Sequence, residues 1–233
     1  LCVPRTADVV AVLDAAAPAL GEGKIVVDTS TIDPDAECAQ HDRVNATGAR
    51  YLEAPMSGGT VGAENGSLTL MVGGDADVLA AARPALEPFA GTIVHVGGPG
   101  TGQIVKLCNN LIYAAQTPAT AEATTMAAKV GVDLRKLHDV ITHSTGDCNA
   151  VRTRIPFEEV LPDGPASNGW QPGFMTYLMA KDLDLAIEFA ARANTPLFTS
   201  GIVRQLLGAA REAGYGREDF SSMGKIVRRL GGV

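Results

Sequence analysis

The chain has 233 residues, 46% of them hydrophobic, and its 26 acidic against 19 basic side chains give a net charge of −7. That length allows one large domain or two modest ones with ample core. The mild acidity argues against a nucleic-acid partner, because no run of Lys or Arg stands out before Lys225, Arg228 and Arg229. No stretch approaches the roughly 18 apolar residues of a membrane span. Four cysteines, none in a CxxC pair, fit a reducing compartment better than a disulfide scaffold.

In chain order, Leu1-Cys2-Val3-Pro4 reads as the end of a buried strand running into a turn, so the sequence is expected to be an N-terminally trimmed one. Residues 8–20 are apolar at helical spacing, and Lys24–Val27 suits a buried strand. Asp33-Pro34 then opens a helix, Asp as N-cap and Pro at the first helical position. Strands are expected at Tyr51–Ala54, Leu68–Val72 and Thr92–Val96, with a helix between the last two capped by Asp75. This alternation predicts an open, mainly parallel α/β sheet of Rossmann type over residues 1–99. From residue 100 the pattern is all helical, with helices at about 103–130, 134–143, 151–160, 174–193, 199–213 and 218–230, punctuated by glycines. Residues 100–233 are expected to form a second, all-α domain.

Ligands of open α/β sheets sit beyond the carboxyl ends of strands. Two loops fall at such ends: Thr29-Ser30-Thr31, and Pro55-Met56-Ser57-Gly58-Gly59. Paired glycines let a backbone approach an anion closely, although both loops also read as ordinary turns. The Gly-rich run at 97–102 lacks the G-x-G-x-x-G spacing and ends the sheet region rather than opening it, so it is no dinucleotide fingerprint. The helix that follows is apolar nearly all round except for one stripe: Gln103, Lys106, Asn109, Asn110 and Tyr113. No carboxylate lies three or four residues from Lys106 in sequence. The stripe reads either as a functional face or as a narrow solvent-facing one with its lysine snorkelling. For Lys181, Asp184 three residues on offers a plain surface pair. The four histidines show no metal spacing, and neither Cys108 nor Cys148 has a paired His, so neither a metal nor a cysteine nucleophile is expected.

Four segments together resemble the 3-hydroxyisobutyrate dehydrogenase branch of the β-hydroxyacid dehydrogenase family, related to 6-phosphogluconate dehydrogenase. They are Asp28-Thr29-Ser30-Thr31-Ile32-Asp33-Pro34, Glu53-Ala54-Pro55-Met56-Ser57-Gly58-Gly59 with its later glycines, Gly100-Thr101-Gly102-Gln103 leading to Lys106 and Asn110, and Leu178-Met179-Ala180-Lys181-Asp182-Leu183. Gly214-Tyr215 and Asp219-Phe220-Ser221-Ser222 are similar to the same branch. The resemblance implies that Lys106 is the catalytic acid/base, that Ser57, Gly58 and Gly59 hold the substrate carboxylate, and that Asn110 orients the substrate. It implies NAD or NADP as cofactor, met by Val3, Pro4, Thr31, Phe174 and Lys181. It also implies a homodimer or homotetramer, a small β-hydroxyacid substrate, and a cytoplasmic location with a mitochondrial one left open. About two βα units of the family's dinucleotide domain, on the order of 60 residues, would lie upstream.

The chemistry so implied is reversible oxidation of an alcohol β to a carboxylate, with the hydride going to the nicotinamide and the proton to Lys106. Burial would lower that lysine from about 10.4 toward a useful range. The loop Ser144–Asn149 departs from the family's pattern at Asp147 and Asn149, which points to a substrate other than 3-hydroxyisobutyrate itself. Other readings are a tartronate semialdehyde reductase, a 6-phosphogluconate-type decarboxylating dehydrogenase, and a non-catalytic binding homologue.

Overall fold

A computed structural model describes all residues from Leu1 to Val233. The chain divides into two compact units, Leu1–Asn109 and Asn110–Val233.

The first unit carries α1 (Thr6–Ala16), β1 (Ile25–Asp28), α2 (Pro34–Asn45), β2 (Arg50–Glu53), β3 (Met56–Ser57), α3 (Gly59–Glu64), β4 (Leu68–Gly73), α4 (Ala76–Leu86) and β5 (Ala90–Gly97), and ends in the first turns of α5 (Thr101–Lys129). The sheet is mixed rather than mainly parallel: β1 runs parallel to β2 and β4 parallel to β5, but β2 and β3 are both antiparallel to β4. The antiparallel partner of β4 is interrupted at Ala54-Pro55. Proline has no N–H for the ladder, so one bent strand is split into β2 and β3, and the Pro55 carbonyl still accepts the Met71 N–H at 3.0 Å. Neither β3 nor the short α3 is legible in the sequence, because β3 is two residues long and α3 lies among glycines. On the outer side of β1, Leu1 donates to the Val27 carbonyl and accepts the Thr29 N–H at 2.9 Å, as a parallel strand would.

Strand alternation divides the core between two faces. Leu52, Leu70 and Val72 pack with Val78, Leu79, Ala82 and Leu86 of α4. Tyr51 packs on the other face with Val9 and Leu13 of α1 and Val44 of α2. Asp33 caps α2 as its sequence position predicts, its carboxylate accepting from the Asp35 and Ala36 amides. Asp75 makes no such side-chain cap on α4 and instead takes Arg50 at 2.7 Å.

The second unit comprises the rest of α5, then α6 (Leu134–Thr142), α7 (Asn149–Thr153), α8 (Thr176–Arg192), α9 (Phe198–Ala210) and α10 (Met223–Gly231). One core joins Ala114 of α5 to Met179, Ala180 and Leu183 of α8, Val203 and Leu207 of α9, and Phe220 and Met223. The helix expected over 151–160 stops at Thr153. Pro156 forces the residue before it out of helical geometry, and Ile155 and Phe157 become buried anchors of a loop instead. Helix α9 ends at Ala210 and gives way to a wider turn through Gly214, whose φ is 91°. No helix is long and apolar enough to cross a membrane.

Candidate active site

At the carboxyl end of β1 the chain turns through Thr29, Ser30 and Thr31. The Asp28 carboxylate, fully buried, accepts the Ser30 N–H at 2.8 Å and the Tyr51 hydroxyl at 3.1 Å. The Ser30 hydroxyl accepts the Val3 N–H at 3.0 Å, and the Thr29 hydroxyl donates to the Leu1 carbonyl at 2.8 Å. Val3, Pro4 and Thr31 are thereby brought to one strand-end surface, with Val3 and Thr31 half-buried and Pro4 exposed. Its anionic group, Asp28, is turned inward, so the surface offers neutral hydroxyls and backbone. That chemistry fits a dinucleotide lying across the strand ends.

Ser57 ends β3, and Gly58 and Gly59 follow with φ of 133° and 64°, which side-chain-bearing residues rarely adopt. A Cβ on Gly58 would stand 2.9 Å from the Leu68 side chain. The turn therefore requires glycine, and it leaves the Gly58 and Gly59 backbone exposed at the strand end.

Helix α5 decides between the two readings of its polar stripe. Its polar stripe is the buried one: Gln103 is 0%, Lys106 8% and Asn110 3% exposed, while Ile112 is 62% exposed. Val105 and Cys108 are exposed as well. A snorkelling, solvent-facing Lys106 is thus excluded. The start of the helix is held by acids. Glu53 accepts the Gly102 N–H at 2.9 Å, and Gln103 donates to Glu37 at 3.3 Å. Burial, with Asp28 and Glu53 nearby, pushes the Glu37 carboxyl up to about 9. Burial pushes Glu53 to about 7, opposed by the backbone amides of Gly102, Gln103 and Gly100. Tyr51, buried beside Glu37 and Asp28, is raised too.

In the second unit Asn110 and Lys181 meet through a residue to which the sequence reading gave no role. Asn110 donates from Nδ2 to Asp182 Oδ2 at 2.6 Å, and Lys181 Nζ stands 3.0 Å from Asp182 Oδ1. Asp184, the surface partner expected for Lys181, is held in a bidentate pair by Arg204 at 2.6 and 2.9 Å. Phe174 is fixed through its backbone. Fully buried Asp219 accepts the Gly173 and Phe174 amides at 3.1 and 3.2 Å and pairs with Arg154 at 3.0 Å. A carboxylate next to a lysine, as Asp182 is, carries no sequence signal that separates it from a surface residue; only the heptad-like burial of Met179, Asp182, Leu183 and Ala186 marks it. Asp147 is clamped by Arg152 at 2.8 Å in an exposed loop.

Comparison with known proteins places both units in one family. Residues 1–97 match the family described as the NAD binding domain of 6-phosphogluconate dehydrogenase. Residues 100–227 match the family described as NAD-binding of NADP-dependent 3-hydroxyisobutyrate dehydrogenase. A probable 3-hydroxyisobutyrate dehydrogenase of Mycobacterium tuberculosis is 45% identical over 188 residues, 80% of this chain and 63% of that protein. The mitochondrial 3-hydroxyisobutyrate dehydrogenase of Mus musculus is 38% identical over 207 residues, 89% of this chain and 62% of that protein. The chain therefore spans less than two thirds of the length of these curated relatives. The solved structure of Mycobacterium tuberculosis 3-hydroxyisobutyrate dehydrogenase with L-serine has a TM-score of 0.90 at 37% identity, covering 97% of this chain and 78% of that one. With residues 1–97 and 100–227 both matched, the chain belongs to the 3-hydroxyisobutyrate dehydrogenase family, within the 6-phosphogluconate dehydrogenase-like superfamily.

Proposed function

We propose that the protein is an NAD(P)-dependent oxidoreductase that reversibly oxidises a small β-hydroxyacid, similar to 3-hydroxyisobutyrate, to its semialdehyde. The observation that carries this reading is the burial of Lys106 on the polar face of α5, one turn before an Asn110 whose amide is fixed by Asp182. A lysine is placed on an inward face at a cost in solvation, and in a family of dehydrogenases the role that repays it is proton transfer. The L-serine in the Mycobacterium tuberculosis relative is itself a β-hydroxyacid, which supports the substrate class.

In oxidation the neutral Lys106 amine accepts the proton of the substrate hydroxyl and becomes an ammonium; in reduction it returns that proton to the carbonyl oxygen. Nicotinamide, when bound, supplies the hydride acceptor. Ser57, Gly58 and Gly59 hold the carboxylate of the substrate through backbone amides, which fixes the carbon that reacts. Asn110 orients the substrate. Val3, Pro4, Thr31, Phe174 and Lys181 would contact the dinucleotide. The protein works as a homodimer or homotetramer.

The test is an assay of the full-length protein with a panel of β-hydroxyacids and both nicotinamide cofactors. Turnover of at least one hydroxyacid is expected, and Lys106→Ala should abolish it. No turnover with any member of the panel and either cofactor would overturn the reading.

A further inference from the structure

We propose that Gln103 is a positioning residue, whose side-chain amide locks the strand-end loop Ser30–Ile32 to the head of α5 and so sets where Lys106 stands relative to that loop. This rests on the assignment of Lys106 and Thr31 made above.

Gln103 has no exposed surface, and its side chain spends both ends on the loop backbone. Oε1 accepts the Ile32 N–H at 3.1 Å, and Nε2 donates to the Ser30 carbonyl at 3.0 Å. The amide thus stands in for a peptide group of a neighbouring strand, satisfying one donor and one acceptor on either side of Thr31. Those partners lie 71 and 73 residues away in sequence, so the contact is made by the tertiary structure alone. From the other side the loop is held by Asp28 on the Ser30 N–H and by Ser30 on the Val3 N–H. A second brace acts on the helix itself, where Glu53 takes the Gly102 N–H. Loop and helix head are thereby fixed to each other rather than merely packed.

Lys106 follows Gln103 by three residues, which is about 4.5 Å along a helix axis. A shift at Gln103 is therefore carried to the lysine nearly undiminished, and misplacement of about 1 Å can cost on the order of 100-fold in rate. Glutamine suits the place for a second reason. Its partner Glu37 stands among Asp28, Glu53 and Tyr51, and a neutral amide adds donor and acceptor there without adding charge.

The experiment compares wild type, Gln103→Met and Gln103→Glu in the full-length protein. Methionine keeps the length and removes the hydrogen bonds to Ile32, Ser30 and Glu37. The carboxylate keeps an acceptor for Ile32 but loses the donor to Ser30 and Glu37, and regains one donor when protonated at low pH. Peptide-resolved hydrogen exchange, nicotinamide-cofactor Kd by fluorescence titration, and kcat against pH are read together. Gln103→Met should exchange the Ile32 amide about tenfold faster or more, with the β4 and β5 amides unchanged. Its kcat should fall about 10- to 100-fold. Gln103→Glu should show a loss of kcat that is partly recovered toward acid pH, relative to wild type. Unchanged exchange at Ile32 would overturn the proposal, as would a lower Tm with kcat and cofactor Kd unaltered, the mark of a purely structural residue. If Gln103→Met fails to fold, the acid recovery of Gln103→Glu decides the matter. If wild type turns over no hydroxyacid, the assignment of Lys106 fails, and exchange at Ile32 decides whether Gln103 sets the loop.

Discussion

Asn110 donates from its amide nitrogen to the Asp182 carboxylate across 2.6 Å, and Asp182 is only 2% exposed. Because the amide nitrogen is committed to the carboxylate, the amide oxygen is turned the opposite way. Asp182 thus decides which end of Asn110 is presented, a choice the asparagine could not make alone. Asp182→Asn should remove that bias and the charge together. The expected outcome is a fall in kcat/KM of about tenfold or more, with a stability loss of about 1–3 kcal/mol from the weakened buried bond. Steady-state kinetics and urea unfolding check it; wild-type kcat/KM in the variant would show that the orientation is immaterial.

Lys106→Ala is expected to lower kcat at least about 100-fold, the low end for loss of a general acid/base. Circular dichroism and Tm should show the fold retained, since the substitution removes a polar group from an interior face. A variant with near-normal kcat would remove Lys106 from the chemistry.

Glu37 gives a stability prediction with a definite sign. Its carboxyl is raised to about 9 by burial and by the nearby Asp28 and Glu53, whereas an unfolded Glu titrates near about 4.3. Between these values the native state holds a proton that the unfolded state has lost. Native stability from this group is therefore complete below about pH 4 and declines as pH rises toward 9, by at most about 1.4 kcal/mol per unit. Glu37→Gln mimics the protonated form and should flatten that decline. Urea unfolding at pH 5.5, 7 and 8.5 makes the comparison; parallel curves for wild type and variant would mean that Glu37 does not bind a proton on folding.

Asp219 ties together Arg154, the Gly173 and Phe174 amides, and the Ser221 amide and hydroxyl. Asp219→Ala would leave Arg154, with a side chain 16% exposed, without its counter-charge. Breaking one side of such a pair costs about 3–5 kcal/mol. A marked drop in Tm is expected, and hydrogen exchange should rise first at Gly173 and Phe174. Adding Arg154→Met to Asp219→Ala should cost less than Arg154→Met costs alone; strictly additive losses in the double variant would show that the pair is not coupled.

The sequence by itself determined the α/β-then-helical order, the Asp33-Pro34 helix start, the glycine turn after Ser57, and the motif that marks Lys106 and Asn110. These are local: a cap, a backbone angle or a spacing within one helix records them in neighbouring residues. Local features fell short where long-range burial ruled. The polar stripe of α5 read equally as a functional or a solvent-facing face and is buried, and a mainly parallel sheet was expected where the strand broken at Pro55 runs antiparallel to β4. Only the tertiary structure decided the partners of the buried polar groups: Glu53 on Gly102, Gln103 on Ser30 and Ile32, Asp182 on Asn110, Asp219 on Arg154. Each joins segments far apart in the chain, and a buried carboxyl or amide is tolerated only where such a partner meets it. Which residue that partner is depends on chain packing, and no pattern within either segment records it.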